Sequence, residues 1–186
     1  MISFTVHNRD SAPENSLEYL QEAEKIFGFV PNLIDVLAES PAAVKAYLDL
    51  YETFNTASLS PTERQVVLLT ASRYAQCDYC IASQSTVAEM SKVPFEVIDA
   101  IRNAEPIAIY KLEALRGFTI AVLDKHGRVS HQDINAFFEA GYGKQQLLEI
   151  ILGISMMTLS NYVNHISDTP VDNIFIRNSW SMVSTN

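Results

Sequence analysis

Apolar residues recur with the period of an α-helix along almost the whole chain, and this pattern limits the fold more than any other feature. No segment alternates convincingly at the period of two that a half-buried β-strand requires. One segment carries the i, i+3, i+4, i+7 spacing of a buried helical stripe, with Val44, Tyr47, Leu48 and Tyr51. The sequence therefore predicts an all-α domain of about eight helices.

Glycine, proline and capping residues divide the chain into these helices. Gly28 predicts the end of a first helix, because glycine readily adopts the left-handed conformation that terminates helices. The stretch S-P-T-E predicts a helix start, since Ser60 can cap, Pro61 suits the first helical position and Glu63 can close a capping box. Gly141 similarly indicates a stop. The predicted helices are 16–27, a short one after Pro31, one from Pro41, one from Pro61, 95–101, 111–123, 132–140 and 144–166.

The length of 186 residues suits a single domain, 1–186, with enough chain for a hydrophobic core. Two related halves, roughly 1–103 and 107–186, are a further expectation, with the joint at Asn103 to Pro106. A faint repeat motivates it, because V-S-H-Q-D at 129–133 resembles L-S-P-T-E at 59–63.

Composition excludes some partners. The formal net charge is -9, which opposes binding to nucleic acid and to anionic membranes. The most apolar window, Leu147 to Leu159, is too short to span a bilayer, which takes ~20 residues. The first residues lack the pattern of a signal peptide. We therefore expect a soluble, cytoplasmic protein with no nucleic-acid or membrane partner.

The two cysteines form a single C-x-x-C motif, Cys77 and Cys80. In a reducing compartment such a pair is more often redox-active or metal-binding than a structural disulfide. The four histidines are scattered without paired spacing, and zinc needs about four ligands, so we predict no metal. Two buried small core residues remain the alternative. If Cys77 begins a new helix, the positive helix end would favour its thiolate, whereas Asp78 would oppose it.

Two longer stretches give these cysteines a context. They are L-S-P-T-E-R-Q-V-V-L-L-T-A-S-R-Y-A-Q-C-D-Y-C-I-A-S-Q-S from Leu59, and L-L-E-I-I-L-G-I-S-M-M-T-L-S-N-Y-V-N-H-I-S-D-T-P-V-D from Leu147. With them the chain resembles the alkylhydroperoxidase D-like, carboxymuconolactone decarboxylase superfamily. The resemblance implies an alkylhydroperoxidase D-like helical fold and a homo-oligomer without cofactor or metal. It also implies an antioxidant activity, in which the reduced C-x-x-C pair reduces a hydroperoxide or disulfide substrate and becomes a redox-active disulfide. A thiol reductant, which the sequence does not identify, then reduces that disulfide.

The resemblance also implies roles for the two sulfurs. Cys80 would attack the peroxide and become a sulfenic acid, and Cys77 would donate a proton and then close the disulfide. The superfamily pattern adds a glutamate twelve positions before the first cysteine and a histidine four positions after the second. Counted in this chain, these positions hold Gln65 and Gln84, whose amides cannot take up a proton near neutral pH.

Another residue could replace this missing proton relay. His165 is the best candidate, because an imidazole titrates in the useful range and could reach a cysteine across a helix interface. The alternative is that Asn164 and His165 tie the helix end to the segment Thr169 to Asp172. Glu63 is not a substitute, since two residues along a helix is about 200° of rotation away from the thiols.

The sequence therefore predicts a thiol-dependent peroxidase or disulfide reductase, and two alternatives stay open. The first is a catalytically weak redox-responsive or scaffold protein, which the missing relay motivates. The second is a decarboxylase that does not use the thiols and binds an anionic lactone through arginines, for which Arg64, Arg73 and Arg116 are available.

Overall fold

The computed structural model describes residues 4–180, and within that range it contains nine α-helices, two short 3₁₀ segments and no strand. The predicted all-α class is confirmed, and only α2 is shorter than two turns. The helices are α1 Leu17–Phe27, α2 Asn32–Leu37, α3 Pro41–Asn55, α4 Pro61–Tyr74, α5 Asp78–Met90, α6 Phe95–Arg102, α7 Tyr110–Asp124, α8 His131–Glu139 and α9 Lys144–Ser167, with 3₁₀ segments at Glu14–Ser16 and Asn173–Asn178.

The capping signals of the sequence set the helix ends within one or two residues. Gly28 ends α1 in the left-handed region, at φ 80°. At the start of α4 the Glu63 N–H donates to Ser60 Oγ at 3.3 Å, and the Ser60 N–H donates to Glu63 Oε2 at 2.8 Å. Burial alone would raise the pKa of Glu63, but these hydrogen bonds and Lys111, at 3.0 Å, hold it below its ordinary value. Glu63 is therefore a capping residue, as its position in the motif predicts.

Helix α4 is the centre of the domain. It packs against α5, α6, α7 and α9, and every residue from 65 to 72 is buried. A helix surrounded on all sides has no solvent face, which explains why V-V-L-L-T-A runs without an amphipathic stripe. Gln65 and both cysteines therefore belong to the innermost layer of the fold.

Helix α9 lies against α2, α3, α4, α5 and α7. By length and composition alone this helix of 24 residues could cross a membrane. The sequence predicts no span, because its most apolar window, Leu147 to Leu159, is too short for one. Of the most apolar window of α9, 33% is buried inside the domain, and a single helix of this kind is weak evidence for a membrane span. At Gly153 a side chain would clash, because a Cβ would lie 2.8 Å from Phe54 Cζ and 3.1 Å from Val67 Cγ1.

The segment after α9 folds back along α5. The hydroxyl of Tyr79 donates to Asp172 Oδ2 at 2.6 Å, and the ring of Phe175 packs edge-on against the Tyr79 ring. Arg102 then donates to the carbonyls of Asn178 and Ser179 at 3.0 and 3.2 Å. Residues 169–180, named here the C-terminal arm, are thereby held beside the C-x-x-C motif.

Candidate redox site

The turn between α4 and α5 places the two cysteines. Gln76 adopts a left-handed conformation, at φ 56°, and Cys77 then caps the N-terminus of α5. The Cys80 N–H donates to Cys77 Sγ at 3.3 Å, so the sulfur takes the part that a serine oxygen usually plays at a helix start. Cys77 thus begins a helix, which the sequence indicates only as a condition, and α5 itself is not among the predicted helices.

The two sulfurs lie at disulfide distance, with the Cα atoms 5.2 Å apart. Both cysteines are only 1% exposed. The positive end of α5 lies at Cys77, where it favours a negatively charged sulfur in the reduced protein. The pair can thus open and close with little movement of the chain, but a reactant must enter the protein to meet it.

Helix α9 supplies the polar neighbours of Cys80. Asn164 Nδ2 donates to Cys80 Sγ at 3.2 Å, and Ser160 Oγ lies 3.5 Å from the same sulfur. The sequence interpretation missed both contacts, and it assigned Asn164 to the helix end instead. A signal was present, because Ser160, Asn161 and Asn164 are the polar residues of one face in an otherwise apolar helix.

A cavity of about 290 Å³ lies near the pair, although neither cysteine is part of its wall. Ser160, which contacts Cys80 Sγ, is part of its wall. The wall is mostly apolar and rich in aromatic rings, among them Phe29, Tyr47, Tyr51, Phe54, Tyr79 and Phe175. An engineered cavity of about 150 Å³ can hold benzene, so this one has room for a substituted ring.

The two amides at the relay positions face this cavity from α4 and α5. Gln65 and Gln84 both line it, and the Oε1 atom of each is buried without a hydrogen-bond partner in residues 4–180. Buried amide oxygens are rarely left unpaired, since each costs about 1–3 kcal/mol. Gln65 and Gln84 thus share one cavity wall with Ser160, the residue that contacts Cys80 Sγ.

His165 lies elsewhere. It is exposed, and it lines a separate groove of about 540 Å³ together with Tyr74, His126 and Tyr162. In the described part of the chain its ring makes no hydrogen bond to either sulfur, whereas its neighbour Asn164 does. The relay role of His165 therefore stays a prediction, without a contact to support it.

Carboxyl groups lie near the cavity wall at Tyr79. Burial raises the pKa of Asp172, although hydrogen bonds from Tyr79 and from the Asn32 N–H act in the opposite direction. Burial and then the neighbouring Asp172 also raise the pKa of Asp35, in α2, to about 6. The phenol of Tyr79 stays neutral, because burial and the nearby carboxylate both raise its pKa.

The three arginines that could clamp an anionic lactone are engaged outside the cavity. Arg64 donates to the Leu59 carbonyl at 2.6 Å, and Arg73 donates to the Arg102 carbonyl at 2.9 Å. Arg116 pairs with Glu113 at 2.6 Å. None of the three lines the cavity beside the cysteines. Within residues 4–180, no three histidine, cysteine, aspartate or glutamate side chains are grouped so that they could hold a metal ion.

Known proteins resemble this chain in sequence over its central part and in fold over almost its whole length. Residues 41–121, which include both cysteines, Gln65 and Gln84, match the model of the carboxymuconolactone decarboxylase family. No curated protein matches the chain.

Three solved structures share the fold. The alkylhydroperoxidase AhpD core of a peroxidase-related protein from Ralstonia eutropha superposes with a TM-score of 0.80 at 20% identity, covering 92% of this chain and 93% of that one. A peroxidase-related protein from a Silicibacter species gives 0.76 at 15% identity, covering 94% and 92%. The debrominase Bmp8, in complex with 2,3,4-tribromopyrrole, gives 0.78 at 15% identity, covering 96% and 95%.

Proposed function

We propose that this chain is a member of the alkylhydroperoxidase D-like, carboxymuconolactone decarboxylase superfamily, because residues 41–121 match the family model and the fold is that of the AhpD core. We propose further that it is a thiol-dependent reductase acting through Cys77 and Cys80. One observation carries the proposal: the two sulfurs lie at disulfide distance at the N-terminus of α5, beside a cavity with unpaired amides. Such a pair can accept two oxidising equivalents and return them to an external thiol.

With a hydroperoxide the reaction takes two steps. The Cys80 thiolate attacks the terminal oxygen of R–O–O–H, the O–O bond breaks, and the alkoxide leaves and takes up a proton to give the alcohol. Cys80 is then a sulfenic acid. The Cys77 sulfur attacks it, the S–S bond forms, and the hydroxyl group leaves as water. An external dithiol reduces the disulfide and is itself oxidised, which closes the cycle.

The cavity favours a small organic hydroperoxide over hydrogen peroxide and over a protein disulfide. An organic hydroperoxide would bury its apolar body against Phe54 and the other rings, which hydrogen peroxide cannot do. Its O–O–H group can both donate to and accept from the amides of Gln65 and Gln84. A folded protein disulfide would have to reach sulfurs that are 1% exposed.

Rapid mixing tests the proposal. The reduced protein is mixed with one equivalent of cumene hydroperoxide, hydrogen peroxide or a small aromatic disulfide, and free thiols are counted over time. We expect both thiols to be lost fastest with cumene hydroperoxide. The Cys80→Ser variant should lose the reaction, and Cys77→Ser should stop at the sulfenic acid. Survival of both thiols in folded protein would overturn the proposal. A further arm uses 2,3,4-tribromopyrrole, because a protein of this fold binds it.

A second candidate is a redox-responsive or scaffold protein, and the amides at both relay positions favour it. General base assistance is typically worth about 10²–10⁴-fold, so its loss could leave oxidation too slow for turnover. The same assay decides between the two candidates. Slow oxidation that stops after one equivalent supports the scaffold, whereas continued peroxide consumption with a supplied dithiol supports the enzyme.

We also propose that the protein forms a homo-oligomer through the exposed side of α9. Four large apolar side chains lie along that side, Leu148, Ile151, Tyr162 and Ile166, and the last of them is 68% exposed. Large apolar side chains exposed along one side of a helix favour a subunit interface there. Light scattering of the wild type and of an Ile166→Glu variant tests this, and a monomeric wild type would contradict it.

A further inference from the structure

Cys80 Sγ is one corner of a closed set of polar contacts. Asn164 Nδ2 is 3.2 Å from the sulfur and 3.3 Å from Ser160 Oγ, and Ser160 Oγ is 3.5 Å from the sulfur. The two N–H groups of the Asn164 amide are thereby directed at the sulfur and at the hydroxyl oxygen. The hydroxyl hydrogen of Ser160 can then point at Cys80 or at the Tyr47 hydroxyl, which is its other hydrogen-bond neighbour.

Both residues are fixed in the core. Asn164 is 5% exposed and Ser160 is 3% exposed, and they stand one turn apart on α9. A neutral disulfide sulfur gains little from such donors, whereas a thiolate gains much more, because hydrogen bonds to an ionised acceptor are stronger than those to a neutral one. The arrangement is therefore best matched to the reduced, ionised form of Cys80.

We propose that Asn164, together with Ser160, stabilises the Cys80 thiolate by direct hydrogen bonds and so takes over part of the task that Gln65 and Gln84 can no longer perform. The inference concerns the site of the proposed function and rests on it for its biological meaning. A fixed amide donor favours the thiolate at every pH, whereas a glutamate–histidine relay acts only in the range where it titrates.

Beyond the positive end of α5, the side chains of two tyrosines, two aspartates and one histidine within residues 4–180 do not supply this stabilisation at neutral pH. The phenols of Tyr47 and Tyr79 stay neutral, because burial raises the pKa of both. Asp78 and Asp172 can bring only negative charge, which disfavours a thiolate. The Cys80 N–H is directed at Cys77 Sγ, and His165 is exposed.

The test is a thiolate titration without substrate. Because the chain has only two cysteines, a Cys77→Ser variant leaves Cys80 as the single thiol, and absorbance near 240 nm then reports its ionisation. In this background Asn164→Ala should raise the titration midpoint by about 1–2 pH units, the loss expected for one hydrogen bond to a charged group. Ser160→Ala should raise it by less.

Asn161→Ala is the matched control. Asn161 lies on the same helix and is equally buried, but its amide donates to the Ala71 carbonyl and not to a sulfur. The titration midpoint of Cys80 in Asn161→Ala should equal that of the Cys77→Ser protein without a second substitution. If Asn164→Ala titrates like Asn161→Ala, or at lower pH, the inference is wrong. Should Asn164→Ala fail to fold, Ser160→Ala and Asn164→Gln are compared instead, and an unchanged midpoint in both has the same consequence.

The two proposals fail in different ways. A raised midpoint in Asn164→Ala without oxidation by any substrate would support the inference and remove the proposed function. Rapid peroxide reduction by the wild type, with an unchanged titration midpoint in Asn164→Ala, would support the proposed function and remove the inference. The titration therefore tests the hydrogen bonds independently of turnover.

Discussion

The hydroxyl of Tyr79 connects three parts of the fold, and removing it alone, with Tyr79→Phe, gives a sharp test of the structure. It donates to Asp172 Oδ2 at 2.6 Å and accepts the N–H of Leu33, in the first turn of α2, at 3.3 Å. First-turn N–H groups have no partner within their own helix, so this hydroxyl satisfies a donor that would otherwise be buried and unpaired. The ring itself would be unchanged in phenylalanine.

The size of the effect follows from these two contacts. A hydrogen bond to a charged group contributes about 1.5–3 kcal/mol, and a buried N–H left unpaired costs about 1–3 kcal/mol. Because contacts that share one atom are not additive, we expect a loss of about 3 kcal/mol in the free energy of unfolding. The loss should shrink at acid pH, since a protonated Asp172 accepts a weaker hydrogen bond.

The assay is urea unfolding of the reduced protein at pH 7 and at pH 4, with Tyr110→Phe as the matched control. Tyr110 is 68% exposed, and its hydroxyl makes no hydrogen bond within residues 4–180, so this control should change stability little. The Tyr79→Phe variant should also react faster with a thiol reagent at Cys80, because the C-terminal arm loses its anchor at Asp172. A stability equal to that of Tyr110→Phe would refute the reasoning.

Three further predictions concern the core and the site. Burial and Asp172 raise the pKa of Asp35 to about 6, so ionisation of Asp35 destabilises the fold as the pH rises from about 4 to 6. After allowance for solvent screening, Asp35→Asn should therefore stabilise the protein by about 1 kcal/mol at pH 7. Urea unfolding measures this, and an equal gain at pH 4 would contradict it. Gly153→Ala should destabilise the protein by about 1 kcal/mol despite the better helix propensity of alanine, because its Cβ must displace the Phe54 ring. Thermal unfolding measures this, and a more stable variant would show that the ring moves aside without cost. The double variant Gln65→Glu with Gln84→His should oxidise about 10²–10⁴-fold faster with cumene hydroperoxide, and an unchanged rate in stopped-flow mixing would mean that these positions do not act on the thiols.

Local signals let the sequence predict much of the fold and part of the site. The capping box of Ser60 and Glu63, the stop at Gly28 and the helical period all act over a few residues, so they can be read without knowing the rest of the structure. The start of α5 at Cys77 was only a condition in the sequence analysis, because no capping residue of the usual kind marks it. Gln65 and Gln84 line one cavity, and α4 and α5, which carry them, follow each other directly in the chain.

The sequence by itself thus determined most of the helical segments and where they stop, although not α5, and it placed two thiols three positions apart. Tertiary structure alone decided what surrounds those thiols. Asn164 reaches Cys80 from 84 positions away and Asp172 reaches Tyr79 from 93, while the neighbouring His165 faces solvent. The physical reason is that caps and turns depend on bonds between near neighbours, whereas a residue's place in the core depends on how one helix rotates against another, and near a helix end a shift of one residue turns a side chain by about 100°.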